Sequence, residues 1–161
     1  GELTLAPDTS AEDALPEHLL TTDGFYLTEP AKSRHRAYHF RLSAHDMALF
    51  GQMLVQRGEW QGKTVVSPDW IDEVTDCKSE TNPNIGGGMR LCYGMMWTVA
   101  ESESGLVSFS HTGDGAHLLS IHPRANLVIV HRVPTEDPDY ERGAPPSQLI
   151  GLTFGAFAPR D

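Results

Sequence analysis

The chain reads as an α/β protein of the α+β kind, an antiparallel sheet meander flanked by helices. Three observations predict this. Residues 108–123 form a short aliphatic and aromatic run, a glycine corner (Gly113, Gly115) and a second run, and residues 127–133 add a third beyond Pro123 and Asn126. Short β-branched runs bounded by Pro, Gly and Asn favour strands over helix. Ser43 opens a stretch with Met47, Phe50, Gly51 and Leu54 at i, i+3, i+4 and i+7, the spacing of one apolar helix face. At 161 residues the chain suits one domain with a sizeable core, residues 1–161, its helical part at 43–75 and a sheet plus C-terminal helix at 91–158.

Composition excludes several classes of partner. The net charge is −10, which repels nucleic acid and anionic membrane alike. Lys32, Lys63 and Lys78 are the three lysines, too few for a basic patch. No apolar run reaches the roughly 18 residues of a membrane span, and the start carries no signal-peptide pattern. Cys77 and Cys92 alone cannot build a zinc cluster. Two free, partly buried thiols are the expectation, with pairing in an oxidising compartment as the alternative.

In chain order, residues 11–20 suit a short helix interrupted by Pro16, and 21–30 a turn and extended chain. Residues 34–41 suggest a solvated loop pinned by Tyr38 and Phe40. Ser43 with Asp46 forms a capping box for the first clear helix, and Gly58 ends it. Residues 59–63 turn between extended pieces. Ser67 and Pro68 start a second helix whose buried side is Trp70, Ile71 and Val74. Residues 79–90, with three consecutive glycines, read as a polar loop and not a phosphate cradle, since no strand precedes and no helix follows. Residues 91–100 read as one strand with Tyr93, Met95 and Trp97 on one face. Residues 148–158 close as a well-buried helix in which Gly151 and Gly155 permit close packing.

The polar corner after the first meander strand is the candidate site, because Gly113 and Gly115 let a ligand approach the main chain. An ordinary connection between core strands is the alternative there. A metal site is a further alternative, with His117 and His131 facing one another on paired strands and His111 nearby, although no His-Glu-x-x-His spacing is present.

Six segments are read together: Ala37-Tyr38-His39-Phe40, Arg41 to Gly51, Gly58-Glu59-Trp60-Gln61-Gly62-Lys63, Ser67-Pro68-Asp69-Trp70, Tyr93-Gly94-Met95-Met96-Trp97 and His111-Thr112-Gly113. Together they resemble the serine β-lactamase-related hydrolases, which include class C β-lactamases, penicillin-binding-protein-like esterases and related amidases. His111-Thr112-Gly113 matches the motif that is Lys-Thr-Gly in many β-lactamases. The resemblance implies a β-lactamase/transpeptidase-like fold and hydrolysis of a small-molecule ester, amide or β-lactam through an acyl-enzyme, with no cofactor. It also implies that the backbone N–H of Asp114 is one oxyanion-hole donor, and that His111, Thr112 and Gly113 bind substrate. Imidazole carries less fixed charge than ammonium near neutral pH, which shifts the expectation from β-lactams toward esters and amides.

The family's nucleophile is the serine of Ser-x-x-Lys. Three residues before the lysines stand Glu29, Trp60 and Thr75, and no Tyr-x-Asn occurs. The chain therefore resembles the C-terminal portion of such a hydrolase. The expected partners are substrate, the N-terminal half that carries the serine, or a second copy of the chain. A non-catalytic binding or regulatory fragment of the same fold is the alternative. A different serine held against a base would count against both.

Overall fold

The computed structural model describes residues 9–10, 24–28, 33–35, 37–40, 42–113, 117–135, 137, 139–141, 143 and 145–157. The chain packs as two compact units, Gly1–Ser43 and Ala44–Asp161. In the first, β1 (Thr9–Ser10), β2 (Gly24–Thr28) and β3 (Ala37–Phe40) form a sheet in that order, β1 parallel and β3 antiparallel to β2. The stretch 34–41 thus contains a strand where the sequence suggested a loop. Its pairing partner lies on β2, and one sequence read locally does not reveal it. The helix expected at 11–20 lies outside the described residues.

The second unit opens with α1 (Ala44–Val55), with Asp46 in its first turn, where the unpaired N–H groups favour negative charge. The helix stops as read. The N–H of Gly58 donates to the carbonyl of Met53, and Gly58 sits at φ +88°. A Cβ there would lie 1.9 Å from the carbonyl oxygen of Val66, so this corner admits glycine alone. A hairpin of β4 (Glu59–Trp60) and β5 (Lys63–Thr64) follows, turning on Gln61 and Gly62, both at positive φ. Next comes α2 (Pro68–Thr75), capped by Ser67, whose Oγ accepts from the N–H of Trp70 at 3.2 Å. Ile71 is buried as expected, but Trp70 is 54% exposed. One helix turn cannot hold both neighbours inward.

The rest is a six-stranded antiparallel sheet. Its strands are β6 (Ser79–Asn82), β7 (Met89–Tyr93), β8 (Thr98–Ser102), β9 (Gly105–Thr112), β10 (Leu118–His122) and β11 (Leu127–His131), each beside the next. The loop expected over 79–90 is therefore a hairpin, with β6 wholly exposed at the sheet edge. Its polar sequence suits an edge that must resist pairing with other chains. The strand expected over 91–100 is two strands. The chain turns at Gly94, whose N–H donates to the carbonyl of Trp97, while the N–H of Met95 donates to the carbonyl of Val74 at the end of α2. A Cβ on Gly94 would lie 2.3 Å from that Val74 oxygen, so the glycine is what lets the sheet approach the helix end.

One cross-strand row holds the core. Register places Cys92 opposite Val99, Val99 opposite Phe109, Phe109 opposite Ile121 and Ile121 opposite Val128. The first four are almost wholly buried, and they pack with Met53 and Leu54 of α1 and Ile71 of α2. Contacts of this kind supply roughly 25 cal/mol for each Å² of apolar surface removed from water. The thiols are not free: Cys77 and Cys92 form a disulfide joining the end of α2 to β7. The fold brings their Cα atoms to 5.2 Å, a closeness that a sequence separation of 15 does not disclose.

The opposite face of the sheet carries Leu118, Ser120 and His122, all buried. The ring of His122 meets that of Phe154 at 4.9 Å, which sets α3 (Pro146–Phe157) against this second face. The closing helix is thus present, but Leu152 is 74% exposed. Apolar residues occupy too much of its circumference for one sheet face to cover.

Candidate functional site

The strand end that carries His111 opens onto a cavity of about 350 Å³. The strand β9 ends with His111 and Thr112, and Gly113 follows; all three are exposed. Alternation along the strand separates them. His111 pairs with Leu119, which lies on the α1 face, so His111 faces the cavity there. Thr112 pairs with Leu118, on the opposite face. Gly113 joins the lining through its main chain, its N–H donating to the carbonyl of His117 at 3.0 Å. A Cβ at 113 would meet the Cβ of His117 at 3.4 Å, so glycine keeps the floor open beside that ring. Asp114, expected to donate its backbone N–H, lies outside the described residues.

Apolar walls surround this floor. Met47 and Phe50 come from α1, separated by one helical turn and so on the same side of it. Trp97 stands beside His111, the ring centroids 6.3 Å apart at 84°, and braces against Phe109 at 5.1 Å and 87°. Edge-to-face packing of this sort fixes ring orientation. His117 is held from behind: its Nδ1 accepts from the N–H of Val133 at 3.3 Å. With Nδ1 accepting, the neutral ring carries its proton on Nε2. Arg132 completes the rim, its Nη1 donating to the Sδ of Met47 at 3.3 Å.

Sequence reasoning took Met47 and Phe50 as core and Trp97 as one face of a strand, and it gave Arg132 no role. For Arg132 a signal existed in strand parity, since it leaves β11 on the same face as His111. Using it requires the lengths of both intervening turns, which the pairing reveals and the sequence does not. The metal alternative is overturned by the same register. His131 sits opposite Leu118, so it points away from the face that carries His117. Among the described residues, the one group of three possible ligands is Cys77, Cys92 and Glu101, and its two sulfurs are bonded to each other.

A serine does stand against a base. Ser120 Oγ lies 2.9 Å from Nε2 of His122 on the second sheet face. Ser120 is 1% exposed, His122 is 6% exposed and Phe154 lies edge-on to the imidazole, so no substrate carbonyl can reach the hydroxyl. Burial also pushes the pKa of His122 down, away from the imidazolium a general base must become. The pair satisfies two polar groups in an apolar layer, as buried polar groups require. It is not the nucleophile that would displace the hydrolase reading.

A second cavity, about 310 Å³, lies between α1, α2 and the far end of the sheet. Its Arg57 and Asp72 are joined at 2.7 Å. The hydrogen bond between them raises the pKa of Arg57 and lowers that of Asp72, so each is committed to the other. The cavity by His111 is the candidate site.

No protein-family model matches the chain, and no curated protein matches it. Among solved structures it is similar to one named "Putative 6-aminohexanoate-dimer hydrolase from Bacillus anthracis", at 26% identity and a TM-score of 0.53. The match covers 83% of this chain and 33% of that one, so the chain spans about a third of the neighbour's length. With its six-stranded antiparallel sheet and flanking helices, the fold is that of the β-lactamase-like hydrolases.

Proposed function

We propose that this chain forms the cleft wall of a β-lactamase-fold serine hydrolase that cleaves an ester, amide or β-lactam through an acyl-enzyme. The observation that carries the reading is the coincidence of His111 and Gly113 with the cavity rim at the end of β9. In this fold a main-chain donor just past that strand faces the developing oxyanion, and such donors supply a large electrostatic share of acyl-transfer catalysis. The apolar walls exclude water and hold the acyl chain. The structural neighbour is named as a hydrolase of a 6-aminohexanoate dimer, which supports hydrolysis of a small molecule as the reaction class. The attacking serine comes from a Ser-x-x-Lys segment that these 161 residues do not contain. That lack equally favours a second reading, a binding or regulatory fragment.

The test is hydrolysis of p-nitrophenyl butyrate together with labelling by a serine-directed fluorophosphonate. The chain alone gives neither turnover nor label. With a Ser-x-x-Lys segment from a β-lactamase-fold hydrolase supplied in trans, that segment's serine is labelled and ester is cleaved. Stoichiometric labelling of a serine within the 161 residues overturns the hydrolase-wall reading, and binding without any rescued turnover favours the fragment reading.

A further inference from the structure

We propose that Cys77, Cys92 and Glu101 form a site for a thiophilic divalent cation such as zinc once the disulfide between the two cysteines is reduced. The site lies apart from the cavity by His111 and does not depend on what that cavity binds.

Three donors meet where β7, β8 and the end of α2 come together. Register pairs Arg90 with Glu101 and Cys92 with Val99. Alternation then puts Arg90 and Cys92 on one face of β7, and their partners on the same face of β8. Cys77 reaches that face from just past the end of α2. One ligand atom from each of the three residues lies within 4.8 Å of the other two. Zinc bonds of about 2.0–2.3 Å in a tetrahedron set ligand atoms roughly 3.5 Å apart, so small side-chain rotations close the site. Two soft thiolates and a carboxylate suit zinc over magnesium or calcium, which take oxygen donors alone.

The oxidised chain offers no thiolate, because the sulfurs are bonded to each other. A dithiol supplies the two electrons and two protons that turn the disulfide into two thiols, and itself leaves as a disulfide. Zinc then displaces both thiol protons to solvent and forms two Zn–S bonds. Glu101 adds a Zn–O bond, and a solvent water takes the fourth position.

The surroundings favour a cation. Glu101 Oε2 accepts from Nη2 of Arg90 at 2.9 Å, the kind of partner that orients a ligating carboxylate, and a carboxylate has a second oxygen for the ion. Arg90 also pairs with Glu80, and Lys78 pairs with Glu73 and Asp76. These four carboxylates outnumber the two cations, in a chain of net charge −10. Cys92 is wholly buried, but Cys77 is half-buried and the Glu101 side chain is 19% exposed, which leaves a side for the ion to enter. Once bound, the ion ties the end of α2 to β7 as the disulfide does. The chain thus carries the same cross-link under oxidising and reducing conditions.

The experiment reduces the 161-residue chain, removes the reductant under nitrogen, and titrates with Co²⁺ and then Zn²⁺. Cobalt gives a thiolate-to-metal charge-transfer band that saturates at one equivalent, and zinc bleaches it. Zinc raises the melting temperature of the reduced chain, a chelator reverses the rise, and the oxidised chain shows neither effect. Glu101→Gln weakens cobalt binding at least about ten-fold, while its oxidised form keeps the native circular dichroism. Absence of the band overturns the inference. So does a band whose affinity Glu101→Gln leaves unchanged, a stoichiometry of two chains per ion, or a metal-loaded chain that circular dichroism shows to be unfolded.

Discussion

Gly51 offers the sharpest test of how α1 is seated, and thereby of the cavity wall. It lies in the middle of the helix, where alanine ordinarily gains about 1 kcal/mol over glycine. Here a Cβ would lie 2.5 Å from one Val128 methyl, 3.2 Å from the other and 3.3 Å from Leu119 Cδ1. Normal carbon contacts begin near 3.5 Å, so the helix must lift or both side chains must leave their rotamers. Overpacking of this kind costs about 1–3 kcal/mol, and it outweighs the propensity gain. Gly51→Ala should thus lose about 1–2 kcal/mol net in urea unfolding. Val128→Ala alone should lose a similar amount, about 1–2 kcal/mol for a half-buried valine. In the double variant the new methyl occupies the vacated space, so the combined loss falls short of the sum by about 1–2 kcal/mol. Met47 and Phe50 sit one turn or less from Gly51, so the backbone amides of Gly113 and His117 across the cavity should shift in Gly51→Ala and return in the double variant. A more stable Gly51→Ala, or strictly additive losses, would refute this packing of α1 on β10 and β11.

Three further outcomes follow from the same structure. Gly94→Ala places a methyl against the Val74 carbonyl, which cannot swing aside as a side chain would, and should cost about 3 kcal/mol by urea unfolding; a neutral result would mean that the sheet does not touch the end of α2. Reducing the Cys77–Cys92 bond, which spans 15 residues, should lower unfolding free energy by about 3 kcal/mol, and an unchanged midpoint in dithiothreitol would contradict the bond. Burial lowers the pKa of His122, so below the ordinary histidine value of about 6.5 the unfolded chain binds more protons than the folded one. Its contribution is whole above that pH and is lost as pH falls, until the folded ring titrates, at no more than about 1.4 kcal/mol per pH unit. Ser120→Ala/His122→Leu should flatten the acid side of the stability profile, and an identical slope would place the pH dependence elsewhere.

What the sequence determined by itself was local. Ser67 and Pro68 begin a helix because a hydroxyl caps an N–H and proline has none to lose, whatever lies around them. Gly58 ends one because its φ excludes a side chain. The three meander strands and the His111-Thr112-Gly113 corner could likewise be read from period and punctuation. The tertiary structure decided what depends on residues far apart in the chain. It divided 91–100 at Gly94 because α2 lies against that point, joined Cys77 to Cys92, and turned Trp70 outward. It set His131 away from His117 and brought Arg132 to the cavity rim. Each of these is fixed by register or by packing between elements, and a one-residue shift in register would reverse every face. Sequence period records which residues alternate; the paired strands decide which side each alternation faces.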